Sequence, residues 1–206
     1  MIQAVIFDLD GTILNSLELR IEAWKHAFSV YGVNLSDDTL RPLIGLPGIA
    51  IAKMFSEKAL EIDIEEERYF RSHLNELKLF DDVNETFSTL GSKGIKTGIV
   101  TSSKKAFMKI LNLPYKPVIT IDDVGFGKPD PEPYLKILEI MKVKPENAAF
   151  VGDAESDLVP AREIKSVSVL IRHGSNKASE NADYYIDNVS EILKLVSKLE
   201  KLRKDS

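Results

Sequence analysis

The sequence predicts a doubly wound, mostly parallel α/β sheet with an all-helical segment inserted into it. Three observations carry this expectation. Short apolar runs rich in β-branched residues recur along the chain, each followed by a polar turn and then a helical pattern. The runs are almost continuously apolar, as strands covered on both faces of a parallel sheet must be. Between the first run and the second, from Ser16 to Leu79, the alternation lapses and only helical spacing is found.

Five runs read as strands: "QAVIFDL" (3–9), "KTGIVTS" (96–102), "PVITID" (117–122), "AAFVGD" (148–153) and "VSVLIR" (167–172). Helical patterns follow at 83–94, 105–113, 131–143 and 155–164. Gly91 and Gly94 suit helix stops, and Pro131 and Pro133 suit a helix start. The inserted segment holds four helical stretches, at 17–32, 36–45, 47–60 and 64–78. In the first, Leu17, Ile21, Trp24, Phe28 and Tyr31 share one face, and Trp24, Phe28 and Tyr31 read as packing core. Ser36 opens the second as a cap, with acidic residues behind it. The chain leaves and returns near Asn15 and Phe80. The expected division is therefore 1–15 with 80–206 as an α/β core and 16–79 as an inserted helical domain.

The composition of 206 residues, 44% apolar and 29% charged, is that of a globular chain with a sizeable core. A net charge of −5 with scattered Lys and Arg argues against nucleic acid as a partner. No run approaches the ~20 apolar residues of a membrane span, and the first residues lack a signal-peptide pattern. The expected setting is the cytoplasm and the expected assembly a monomer or homodimer. Cysteine is absent, which excludes disulfides, thiolate metal sites and a cysteine nucleophile. The basic stretch "KLEKLRKDS" (198–206) reads as the end of a terminal helix.

Ligands collect at the carboxyl ends of the strands in such a sheet, and four ends carry reactive side chains. "DLDGT" places Asp8 and Asp10 one residue apart, so both carboxylates face one side of an extended chain. Like charges that close raise a pKa, and a bound cation is the obvious remedy. "VTSS" offers Thr101, Ser102 and Ser103, "GKPDP" offers Lys128, and "GDAESD" offers Asp153 and Asp157. Singly these signals are weak: Ser102 or Ser103 reads first as a helix N-cap, and Asp after Gly as a turn. In this order and spacing the four together are specific.

These four segments resemble the ordered motifs of the haloacid dehalogenase-like superfamily of phosphohydrolases, over nearly the whole chain. The helical insertion is similar to the small cap of the phosphoglycolate phosphatase-like and phosphoglucomutase-like branch, and the sheet to its Rossmann-like core. The resemblance implies a Mg²⁺-dependent phosphatase for a small phosphorylated metabolite. It implies Asp8 as nucleophile, forming an aspartyl-phosphate. The implied ligands of Mg²⁺ are an oxygen of Asp8, the backbone carbonyl of Asp10, and Asp153. Asp157 then orients the metal's waters or Lys128. Asp10 shuttles protons, a role suited by a pKa raised through neighbouring negative charge. Thr101 and the N–H groups of Leu9, Asp10 and Ser102 bind the phosphoryl oxygens, and Lys128 holds Asp8 and steadies the transferring group.

Other readings stand beside this one. A phosphosugar mutase uses the same motifs, but the family's mutases carry His where Arg20 stands. A haloacid dehalogenase and a non-enzymatic phospho-accepting switch are the remaining alternatives. Arg20 reads as a surface residue or as a contact for a substrate anion. His26 and His73 read as surface or packing residues, and His173 as a loop residue. The "GLPG" turn, Gly45 to Gly48, is where related caps place specificity residues, and here it offers apolar groups and backbone.

Overall fold

The computed structural model of the chain describes residues 1–202. Six strands form one parallel sheet: β1 (Ala4–Phe7), β2 (Lys96–Val100), β3 (Val118–Ile119), β4 (Ala148–Gly152), β5 (Val167–Ile171) and β6 (Tyr184–Ile186). Their spatial order is β3-β2-β1-β4-β5-β6, so the chain reverses its direction of travel across the sheet between β1 and β4. Ala4 pairs with Ala148 and Phe7 with Val151, which sets the ends of β1 and β4 side by side. A crevice opens at such a reversal, beyond the carboxyl ends of the strands.

Side chains alternate across β1. Val5 and Phe7 join the apolar cluster under α5 (Val83–Ser92), α6 (Lys105–Leu111) and α9 (Ile192–Leu202). Ala4 and Ile6 join the cluster under α7 (Glu132–Met141) and α8 (Glu155–Glu163). Both faces of the strand are therefore dry, as its apolar sequence requires.

The segment between β1 and α5 is helical throughout: α1 (Leu17–Val30), α2 (Asp37–Leu40), α3 (Gly48–Lys53) and α4 (Ala59–Ser72), with short 3₁₀ turns. It has its own apolar cluster, built on Ile21, Trp24, Phe28, Leu40, Ile51 and Ile62, with Tyr31 packed at its edge. Ser36 caps α2, its hydroxyl accepting from Thr39 N–H at 3.2 Å. The segment's two ends pair with each other: Asn15 N–H donates to the Lys78 carbonyl at 2.9 Å, and Phe80 N–H to the Ile13 carbonyl at 3.1 Å.

Several boundaries differ from the sequence reading. β6 was not expected, since three residues between polar flanks give too short a pattern. The stretch 47–60 breaks after Lys53, where Ser56 Oγ accepts from Lys58 N–H at 3.1 Å and resets the chain into α4. β3 is cut to two residues because Thr120 and Asp123 form a reciprocal capping box that turns the chain into 3₁₀ geometry. Gly91 lies inside α5, and Gly94, at φ +73°, ends that helical run. Of the basic stretch 198–206, residues 203–206 lie outside the described residues. Among the described residues, no helix is long and apolar enough to cross a membrane.

Two stability predictions follow from this packing. A methyl group at Gly98 of β2 would lie 2.5 Å from Met141 Cε and 3.0 Å from the Pro117 carbonyl oxygen. Gly98→Ala is expected to destabilise the fold by about 1–3 kcal/mol, the range for overpacking, read from denaturant unfolding. His173 stacks on Phe80, with centroids 3.7 Å apart, and its Nε2 bonds to the Thr12 carbonyl at 3.0 Å. Burial lowers its pKa, against the opposing pull of that carbonyl. A lowered folded pKa favours the neutral ring, so its contribution is full above the unfolded value of ~6.5 and fades as pH falls. Unfolding free energies measured from pH 7.5 to 5 should fall faster for the wild type than for His173→Asn, which tolerates the left-handed backbone at φ +48°.

Candidate active site

The ends of β1, β2 and β4, with the loop before α7, deliver their side chains to one place. Lys128 is 2% exposed, and its Nζ donates to Asp8 Oδ1 at 2.5 Å and to Asp157 Oδ1 at 2.6 Å. Tyr134 on α7 also donates to Asp157 Oδ1, at 3.2 Å. The adjoining glycine makes room for this: a Cβ at Gly152 would collide with the Asp157 side chain. Among the described residues, Asp8 Oδ2 is buried without a hydrogen-bond partner.

Asp8, Asp153 and Asp157 each present a carboxylate oxygen, and these atoms lie within 4.8 Å of one another. Burial pushes the Asp8 carboxyl well above the usual range; Lys128 opposes this, and Asp157 and Asp153 add to it. Burial likewise raises Asp153. The donors are all oxygen, the coordination that hard divalent ions prefer. Buried Lys128 and the partly exposed Lys177 together still leave three carboxylates one positive charge short, and among the described residues an oxygen of Asp8 stands without a partner. On both counts the residues fit a divalent cation. Gly11, at φ +77°, lets the chain turn away after Asp10; a side chain there would come within 2.8 Å of Asp153 Oδ2.

Asp10 is placed differently from the expectation. Its Oδ1 accepts from Ser16 Oγ at 2.6 Å and from Arg20 Nε at 3.1 Å, and its Oδ2 from Ser103 Oγ at 2.9 Å. Burial works to raise its pKa, but the Arg20 guanidinium and the bonds from Ser16 and Ser103 outweigh it and hold the carboxyl below the usual range. The expected upward shift from neighbouring negative charge is thus overturned by Arg20, which the sequence reads as a surface residue or a contact for a substrate anion, not as a partner of Asp10. Arg20 itself spans three elements. It reaches Glu66 on α4 at 3.0 Å and Ser103 at 2.8 Å, with its guanidinium carbon 3.5 Å from the centre of the Phe70 ring.

The two serines after β2 are not helix caps, because Lys104 holds that position at α6. Ser102 Oγ instead donates to the Gly45 carbonyl of the GLPG turn at 2.6 Å. Thr101 is buried, and its oxygen accepts from Ser103 N–H at 3.0 Å, which leaves its own hydroxyl proton to give. Asp8 N–H and Thr101 N–H are spent on the sheet, whereas those of Leu9, Asp10 and Ser102 make no bond among the described residues.

A cleft of about 120 Å³ lies between the helical segment and these strand ends. Asp8, Asp10, Thr101, Ser102 and Ser103 line one side, and Arg20, Trp24, the GLPG turn, Glu66 and Arg71 the other. Lys104 crosses the cleft to Asp63 at 2.9 Å and Glu67 at 2.8 Å. Sequence reasoning missed Asp63, Glu66, Glu67, Arg71 and Lys104, which carry no local signature. Lys128, Asp153 and Asp157 are outside this lining and lie against Asp8. His26 and His73 stack on the two sides of Tyr69, away from the cleft.

Known proteins are similar to this chain in sequence and in fold. A sequence profile for the family described as haloacid dehalogenase-like hydrolase matches residues 5–171. The PpaX protein of Clostridium perfringens is 34% identical over 97% of this chain and 99% of its own. That of Bacillus cereus, named a pyrophosphatase, is 31% identical over 96% and 98%. The crystal structure of a hydrolase from Pseudomonas syringae superposes with a TM-score of 0.85 over 96% of this chain and 99% of its own, at 21% identity. The chain belongs to the haloacid dehalogenase-like hydrolase family.

Proposed function

We propose that the chain is a Mg²⁺-dependent phosphatase acting on a small phosphorylated compound through a phosphoryl group carried on Asp8. The observation that supports this best is the state of Asp8. One oxygen is held by Lys128, and the other is buried at the cleft floor with no partner among the described residues. Family membership and relatives named as pyrophosphatases agree with the reading.

Asp8 attacks the phosphorus in line with the leaving oxygen. The unspent N–H groups of Leu9, Asp10 and Ser102, the Thr101 hydroxyl and the Lys128 ammonium take up charge on the phosphoryl oxygens. Pre-aimed donors of this kind supply most of the rate in phosphoryl transfer. Asp10 gives a proton to the leaving oxygen and later takes one from the water that cleaves the acyl-phosphate. Donation requires Asp10 first to leave the grip of Arg20 and Ser103. An oxygen of Asp8, the Asp10 carbonyl and Asp153 would hold Mg²⁺, with Asp157 behind them fixing Lys128. Bound there, the ion offsets the repulsion between an attacking carboxylate and an anionic phosphate.

Residues 16–79 act as a cap in this reading. Arg20, Lys104 and the bond from Ser102 to the Gly45 carbonyl join the cap to the sheet, and a closed cap keeps water from the reacting groups. Pyrophosphate, the substrate in the relatives' name, is the first compound to try, because the cleft is small and lined by cations.

Two measurements test the proposal. Asp8→Asn should lower kcat by at least about 10⁴-fold, the scale for losing a nucleophile, in phosphate release from pyrophosphate, phosphoglycolate and sugar phosphates. Near-normal turnover would remove Asp8 from its role, and an isomerised sugar phosphate in place of free phosphate would favour a mutase. Chelation by EDTA is expected to stop turnover and added Mg²⁺ to restore it. Undiminished activity after chelation would dismiss the ion.

A further inference from the structure

One charged group beside the carboxylates has no place in this mechanism. Lys177, in the loop between β5 and β6, donates from Nζ to Asp153 Oδ2 at 2.8 Å and to the Asp153 carbonyl at 3.0 Å. The pair is long-range in sequence, and the loop brings Lys177 to the carboxylate from outside the sheet. Lys128, the interior cation, is committed to Asp8 and Asp157. Asp153 therefore has Lys177 as its ion-pair partner among the described residues.

The two lysines differ in access. The Lys128 side chain is 1% exposed, and leaving its place would strand two buried carboxylates. That of Lys177 is 33% exposed. A lysine head on a flexible four-carbon stem can swing into water at little cost. Asp153, by contrast, is buried and cannot follow.

We propose that Lys177 is a displaceable counter-cation of the metal-binding carboxylates, neutralising Asp153 in the metal-free protein and weakening the hold on a divalent ion there. The inference rests on the reading of Asp8, Asp10 and Asp153 as metal ligands. Its physical content is charge. An ammonium and a divalent cation that share one carboxylate repel, and partial exposure screens this without abolishing it. Three carboxylates with one fixed ammonium would be strained as a metal-free fold, and Lys177 relieves that strain. The price is a lower affinity for the metal. A purely orienting lysine, which holds Asp153 ready for the ion, would act in the opposite sense, since its loss would weaken binding.

Titration calorimetry with Mg²⁺, and with Mn²⁺ as a second probe, separates the two. Lys177→Met and Lys177→Gln are expected to bind the ion about 10-fold more tightly, the effect of one unit charge opposing a divalent ion in a mostly aqueous setting. Lys177→Arg keeps the charge and should stay within about 3-fold of the wild type. Without metal, the Met and Gln variants should melt at a lower temperature than the wild type, and Mg²⁺ should raise their melting temperature by more. Affinity that is unchanged or weaker in both neutral variants overturns the proposal. A wild type that binds neither ion overturns the metal reading itself, and this inference with it; Asp153→Asn, expected to lose binding, identifies the site in the titration.

Discussion

The ammonium of Lys128 is the interaction on which the rest of the site depends. It lies between Asp8, from the end of β1, and Asp157, from the first turn of α8, and it is buried with both. Taking three charges out of water is expensive, and removing one partner of such a set typically costs about 3–5 kcal/mol because the others are left unpaired. Without the lysine this arrangement would leave Asp8 and Asp157 buried with no ion-pair partner among the described residues. The same contact leaves Asp8 with one oxygen tied and one open, so the group that makes the fold tolerable also orients its reactive atom. Stability and chemistry share one ion cluster here.

Arg20 is the second node, and it works at a different level. Through one guanidinium, α1 is joined to Asp10 on the sheet side, to Ser103 after β2 and to Glu66 on α4. A planar fork with five donors suits such a junction, and its stacking on Phe70 suits the apolar wall behind it. Movement of the helical segment therefore has to disturb Asp10, and the proton transfer proposed for it requires these bonds to rearrange. On the proposed mechanism, the position of residues 16–79 and proton transfer at Asp10 are linked through Arg20.

The sequence made the parallel core legible because its signals are local. Apolar runs fixed four of the strands to within two or three residues, and the strand ends named every carboxylate of the buried cluster. β3 lies inside the run read at 117–122 and is shorter than that run, whereas β6, at three residues, falls below the length at which alternation can be read. The third helix was drawn too long because propensity favours a helix through 47–60, while a serine turn decides otherwise. Long-range ion pairs were the larger loss. Arg20 and Glu66 lie 46 residues apart, and Lys177 and Asp153 lie 24 apart. Nothing in the neighbourhood of either arginine or lysine tells it from a solvated one. The error over Asp10 has the same origin: the visible neighbour, Asp8, predicts a raised pKa, and the distant neighbour, Arg20, reverses it.

The cleft carries this reasoning one step further. Its basic residues, Arg20, Arg71 and Lys104, are each already paired with Glu66, Glu67 or Asp63. An incoming anion must compete with carboxylates for most of these donors, Arg71 Nε being the one that has no hydrogen-bond partner among the described residues. On the core side it meets neutral donors, the Thr101 hydroxyl and free backbone N–H groups, which demand no such exchange. On the proposed mechanism the phosphoryl group is held chiefly from the core side, by these donors with Lys128, and residues 16–79 contribute by exchanging partners with the leaving group. At about 120 Å³ the space for that exchange is well under the ~300 Å³ at which drug-sized pockets begin. A compact leaving group that can take hydrogen bonds from an arginine fits these constraints.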